Sequence, residues 1–139
     1  MARDREDCSR ARPPRLGYPR PVEGVHQVVG AVAIGVCAAA ALVGGVAYWR
    51  GRGAGSITTH VLALAQTALI AQVGLGLLLL SGEHRAADRL HYAYGTLALG
   101  AALAPWFYAP ERGSRRLLWF AGATALAGAL GVRAFMTGS

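Results

Sequence analysis

The chain has 139 residues, 54 % of them apolar and only 15 % charged, and its net charge of +7 comes from arginine alone because it contains no lysine. Four apolar stretches occupy most of its length, which leaves almost no room for a soluble domain and excludes an ordinary water-soluble enzyme. In a soluble protein this basic balance would point to nucleic acid. Beside apolar spans it points to anionic headgroups and topology signals, and no nucleic-acid partner is expected.

Residues 1–22 are rich in arginine and proline, with Pro13-Pro14 and Pro19-Arg20-Pro21. Such a composition cannot bury a core and reads as a flexible or polyproline-like tail near the membrane surface. Its charged region is too long and too acidic for a signal peptide. The transmembrane domain then occupies residues 23–139.

The four stretches, Val25–Trp49, Ile57–Leu80, Leu90–Ala109 and Leu117–Met136, are each about 20–25 residues, the length that crosses a hydrocarbon core of about 30 Å as a helix. All seven acidic residues lie outside them. The connectors are short. Arg50-Gly-Arg-Gly-Ala-Gly55 is a glycine-rich turn, with Ser56 as the cap of the second helix. Ser81-Gly82 closes that helix, Asp88 caps the third, and Ser114 caps the fourth after the Pro110-Glu-Arg-Gly break. Loops this short force neighbouring helices to run antiparallel, so the expected fold is all-α, a four-transmembrane-helix up-down bundle made of two tandem helical hairpins.

Pro105 frees the carbonyl of Ala101 and is expected to bend the third helix. Trp49, Trp106, Tyr108 and Trp119 gather where an interfacial aromatic belt belongs. Small residues recur at helical spacing, as in Ala40/Gly44 and Ala121/Ala125/Ala129, and tight helix packing accounts for most of them. Cys8 and Cys37 differ too much in depth to pair.

An even number of spans puts both termini on one side. That side carries Arg3, Arg5, Arg10, Arg12, Arg15, Arg20, Arg85, Arg89 and Arg133, against Arg50, Arg52, Arg112, Arg115 and Arg116 on the other. The excess places both termini in the cytoplasm, with the bundle in a plasma or inner membrane.

The hairpin is written twice. His26-Gln-Val-Val-Gly30-Ala-Val-Ala33-Ile-Gly35 returns as His91-Tyr-Ala-Tyr-Gly95-Thr-Leu-Ala98-Leu-Gly100. Thr67-Ala-Leu-Ile-Ala-Gln-Val-Gly74 returns as Thr124-Ala-Leu-Ala-Gly-Ala-Leu-Gly131. In the first helix His26, Gly30, Ala33, Cys37, Ala40 and Gly44 fall on one stripe, and in the third His91, Gly95, Ala98, Ala102 and Pro105 do the same. These helices are diagonal partners that point the same way, so the two histidines are expected at similar depth, facing one central space.

Two neutral imidazoles are the usual axial ligands of low-spin haem iron. His26 and His91 are therefore the candidate metal ligands of one haem b. Gly30 and Gly95 clear space one turn on, Arg20, Arg85, Arg89 and Arg133 are available to the propionates, and Tyr92 and Tyr94 to the rim. The arrangement resembles the four-helix b-type membrane cytochromes of the cytochrome b561 group, and one half of haem A synthase. The resemblance covers the helical region, rests on topology and on His26 and His91, and implies axial ligation by those two. The chain differs from those families in having no second histidine pair and no acidic residue within a span.

The expected function is electron transfer by a small membrane haem protein rather than stand-alone catalysis. The alternative is a non-catalytic structural or assembly subunit of a larger membrane complex. In it the small-residue groove receives a helix of a membrane-protein partner, a second copy or a lipid. A transporter ranks last, because no span carries a midplane charge, and no nucleophile–base pair suggests a hydrolase. His60 reads as a headgroup-level histidine sharing a face with Leu64, Thr67 and Ala71. Gln66 and Gln72 call for interhelical hydrogen bonds, and Thr67 and Thr124 for bonds back to their own helix carbonyls.

Overall fold

The computed structural model describes residues 21–81 and 88–138. They form four helices: α1 (Pro21–Trp49), α2 (Ser56–Ser81), α3 (Leu90–Tyr108) and α4 (Ser114–Gly138). Each expected helix is present, with ends that move by at most four residues. α1 begins at Pro21, where proline fits the first turn because its missing N–H needs no partner there, so residues 21–22 belong to the helix and not to the tail. Residues 1–20, the Gly82 stop, His84 and Arg85 lie outside the described residues.

The helix ends follow from backbone bookkeeping. α1 stops in a paired turn in which Arg52 N–H reaches Ala47 O at 2.9 Å and Gly51 N–H reaches Tyr48 O at 3.0 Å. Gly51 sits at φ +64°, a value glycine adopts without a Cβ penalty. Asp88 does cap α3, its Oδ1 accepting the Leu90 N–H at 2.9 Å.

Three helices, α1 (from Gly24), α2 and α4, are long and apolar enough to cross a membrane. At 26, 26 and 25 residues they measure about 37–39 Å. α3 falls short of that standard. Its 19 residues span about 28 Å and include His91, three tyrosines, Pro105 and Trp106, which dilute its apolar character.

α1 packs against α2 and α4, and α3 packs against α4. α1 and α3 stand on the diagonal without backbone contact, and the α2–α3 seam is the loosest of the four sides. The interior is built from small side chains: Ala33, Cys37, Ala40, Ala65, Ala98, Ala102, Ala121, Ala127 and Ala134 are buried. Leu62, Leu69 and Leu117 join them, but most large apolar residues point outward, with Leu42 70 %, Ile57 77 % and Phe107 79 % exposed. A water-soluble bundle has the opposite arrangement; this one suits a hydrocarbon surround, where close backbone packing replaces the hydrophobic drive.

The backbones of α1 and α4 approach closely along a seam of small residues. A Cβ added at Gly44 would lie 2.9 Å from Ala121 Cβ, one at Gly128 3.1 Å from Cys37 Cβ, and one at Gly30 3.7 Å from the Phe135 ring. These pairs recur every seven residues on both antiparallel helices, the spacing that keeps one seam of a coiled pair in register. Ala125 and Ala129 are not part of that seam. They are exposed, and the inward face of α4 is Ala121, Thr124, Ala127/Gly128 and Ala134. A three-residue step advances the helix by 300° and a four-residue step by 400°, so a run of pure fours drifts off a face that mixed threes and fours keep.

Gly44→Leu should therefore cost about 1–3 kcal/mol by overpacking, whereas Gly45→Leu, with nothing within 4 Å of its Cβ position, should change stability by less than about 0.5 kcal/mol. Unfolding in mixed detergent, followed by circular dichroism, measures both.

Candidate functional site

His26 lies in the second turn of α1, one turn deeper than a start at Val25 implies, and His91 is the second residue of α3. Because α1 and α3 are diagonal and parallel, both rings enter the bundle at the same end. Their centroids are 6.0 Å apart with the planes inclined at 66°. The stripes behind them face inward along their length: Gly30, Ala33, Cys37, Ala40 and Gly44 on α1 are buried, as are Ala98, Ala102 and Pro105 on α3.

Each ring is held by the other helix of its own hairpin. His91 Nδ1 is 2.7 Å from the carbonyl oxygen of Ala134 on α4. A carbonyl only accepts, so Nδ1 carries the proton and the Nε2 lone pair is left for something else. His26 meets Gln72 of α2, whose Nε2 donates to the His26 main-chain oxygen at 3.0 Å and lies 3.3 Å from the ring Nε2. Two glycines admit these rings: a Cβ at Gly76 would come within 3.3 Å of His26 Cε1, and one at Gly138 would press on the His91 ring.

The rings border a cavity of about 510 Å³ between all four helices, lined also by Gln72, Gly76, Tyr92, Gly95, Thr96, Leu99, Gly131 and Phe135. This lies within the usual range of about 300–1,000 Å³ for small-molecule and cofactor sites. A Cβ at Gly95 would meet nothing within 4 Å, so the space beside His91 is open. His26 Nδ1 and Gln72 Oε1 are buried without a hydrogen-bond partner. Polar atoms in that condition cost about 1–3 kcal/mol each. Among the described residues no group of three or more His, Cys, Asp or Glu side chains converges, so the donor set is two imidazoles.

The remaining expected site residues fall in different places. Gly30 borders the cavity, but a Cβ there would stand 2.8 Å from Gln72 Nε2, so this glycine makes room for the amide. Tyr94 turns to α4, where the Arg133 guanidinium lies 5.7 Å from its ring centre, while Tyr92 borders the cavity and packs edge-on to His91 at 5.8 Å. Arg89 is exposed at the start of α3 and does not line the cavity; Arg20 and Arg85 lie outside the described residues. His60 is exposed with Leu64, Thr67 and Ala71, its Nδ1 2.6 Å from Ser56 O. Thr67 bonds back to Ala63 O at 3.0 Å, but Thr124 Oγ1, buried at the centre, has no partner.

Sequence reasoning placed Gln72 as interhelical glue and missed its tie to His26. The signal was an amide in an apolar helix, but which helix it meets depends on packing. The other amide, Gln66, closes the opposite end of the loose α2–α3 seam. Its Nε2 donates to Ala102 O at 3.1 Å and its Oε1 accepts the Trp106 indole N–H at 3.1 Å. That contact sits on the turn containing Pro105, one residue along from the carbonyl the proline frees. The seam is thus fastened at the loop end and loose at the histidine end.

The chain matches no protein-family model, no curated protein and no solved structure.

Gln66→Leu removes two interhelical bonds worth about 0.6 kcal/mol each. Its thermal midpoint should fall modestly, and freeing the Trp106 indole should change the tryptophan emission in detergent.

Proposed function

We propose that this chain is a small integral membrane protein that holds one b-type haem between His26 and His91 and passes single electrons. The observation that carries the reading is the pair of imidazoles, one from each hairpin, with ring centres 6.0 Å apart at the edge of a cavity of about 510 Å³. His26 and His91 would hold the iron, each through one ring nitrogen. The fit extends to the surroundings. The His91 Nδ1–H is spent on a main-chain carbonyl, which fixes the ring and leaves Nε2 as the ligand atom. Open space at Gly95 and apolar walls of leucine and phenylalanine suit a flat macrocycle.

A haem held by these two residues would supply one-electron chemistry. The chain's residues do the rest. Leu77, Leu80 and Leu99 line the cavity wall and restrict water there, Ala134 and Gln72 orient the imidazoles, and Tyr92 packs against the His91 ring. In this reading α3 is a fourth span, its ends at the two interfaces, and the start of α1 and the end of α4 lie on the cytoplasmic side of a plasma or inner membrane. The aromatic side chains Trp49, Trp106, Tyr108 and Trp119, exposed at the opposite end, support that placement.

The second reading, an accessory subunit whose groove takes a partner's helix, draws on the loose α2–α3 seam beside the same cavity. An absorption spectrum separates the two. Protein purified from haem-replete cells should show a Soret band and sharp α and β bands after dithionite. His26→Ala and His91→Ala should each abolish that spectrum and His60→Ala should leave it intact. Equal pigment in all three variants, or a colourless wild type, defeats the haem assignment.

The four-span arrangement has its own check. With Cys8 and Cys37 replaced by serine, single cysteines at Gly53 and Glu111 should label from the same side of sealed vesicles, opposite to one near Arg89. Labelling of the Gly53 and Glu111 positions from opposite sides defeats it.

A further inference from the structure

Resting on the haem reading, we infer that Gln72 is the positioning residue for His26 and makes the two axial imidazoles chemically unequal. Four observations meet at this side chain. The Gln72 amide nitrogen donates to the His26 main-chain oxygen at 3.0 Å and lies 3.3 Å from the ring Nε2, so it engages the His26 residue at two points. The backbone has been cleared for the pair, since a Cβ at Gly30 would stand 2.8 Å from the amide nitrogen and a Cβ at Gly76 3.3 Å from the ring. His26 Nδ1 is buried without a partner, and so is Gln72 Oε1. With Nε2 accepting from the amide, the Nδ1 proton is an unused donor, and the amide oxygen is an unused acceptor on the side chain already in contact with it.

Those complementary leftovers define the role. In the free protein the amide nitrogen caps the Nε2 lone pair, which keeps the ring in one tautomer. Pairing the Nδ1–H with the amide oxygen instead releases Nε2 as a ligand atom and satisfies both orphaned groups. His91 has the same arrangement through the carbonyl of Ala134, a main-chain group that no substitution removes. His26 depends on a replaceable side chain, so residue 72 is where the strength of one ligand is set. An acceptor there raises imidazole basicity, as outer partners of ligating histidines do.

The test is haemin titration of the purified wild type, Gln72→Met and Gln72→Glu, followed by the midpoint potential and ¹⁵N spectra of histidine in the haem-free protein. Methionine keeps the length of the side chain and removes both polar atoms, whereas glutamate keeps the acceptor. Gln72→Met should weaken haemin binding by about 10–100-fold, raise the potential, and lose the single-tautomer ¹⁵N signature of His26 while that of His91 persists. Gln72→Glu should recover affinity and lower the potential below that of the wild type. A pigmented wild type with unchanged affinity, potential and His26 tautomer in Gln72→Met overturns this role alone. A wild type that takes up no haemin overturns the haem reading and this role together. Circular dichroism of each variant identifies a folding failure, in which case Gln72→Glu decides: a potential equal to that of the wild type overturns the role.

Discussion

The constraint on which the rest of this bundle depends is the close approach of α1 and α4. Glycine, alanine and cysteine alternate along the seam so that Gly44 meets Ala121 and Gly128 meets Cys37 nearly backbone to backbone. In hydrocarbon no water drives helices together, so dispersion over such a tight seam must supply the adhesion. α2 packs on α1 and α3 packs on α4, while α2 and α3 meet each other only loosely. The cavity at the histidine end is lined from all four helices.

Polar groups then finish what packing leaves open. Both mid-helix glutamines cross to a neighbour, Gln66 to the proline turn of α3 and Gln72 to His26 on α1. Each bond is modest in a membrane, yet the geometry it selects is specific because the alternative is an amide with no partner. The two ends of the bundle differ in the outcome. Near Gln66 both amide atoms are used. Near Gln72 an acceptor and the neighbouring imidazole nitrogen are left over, and the leftover atoms flank the cavity.

The repeat in the chain is only partly a repeat in space. His26 and His91 occupy matching positions, but their partners do not. One ring rests on a glutamine side chain and the other on a backbone carbonyl. Thr67 and Thr124 likewise correspond in sequence and differ in environment, one exposed and bonded to its own helix, the other buried at the centre and unbonded. The two hairpins thus share a stripe of small residues while the side chains bridging the helices differ.

Much of this architecture was legible in the chain itself. Apolar length and breaker residues mark four helices, and spacing by threes and fours marks the buried stripes headed by His26 and His91, because one helical face is a local property of the sequence. α3 shows the limit of that reading: its tyrosines, proline and histidine make it weaker as a span than its neighbours, although it takes its place in the bundle. Ala125 and Ala129 show another, since small residues at four-residue spacing turn outward once a tighter seam claims the inner face. What only the tertiary structure decided is how side chains far apart in sequence meet. That Gln72 reaches His26, that Ala134 offers its carbonyl to His91, that Gly30 houses an amide and that Tyr94 sides with Arg133 all depend on the rotation and offset of one helix against another. Periodicity fixes which face of a helix is buried; the close contact of its neighbours fixes what that face meets.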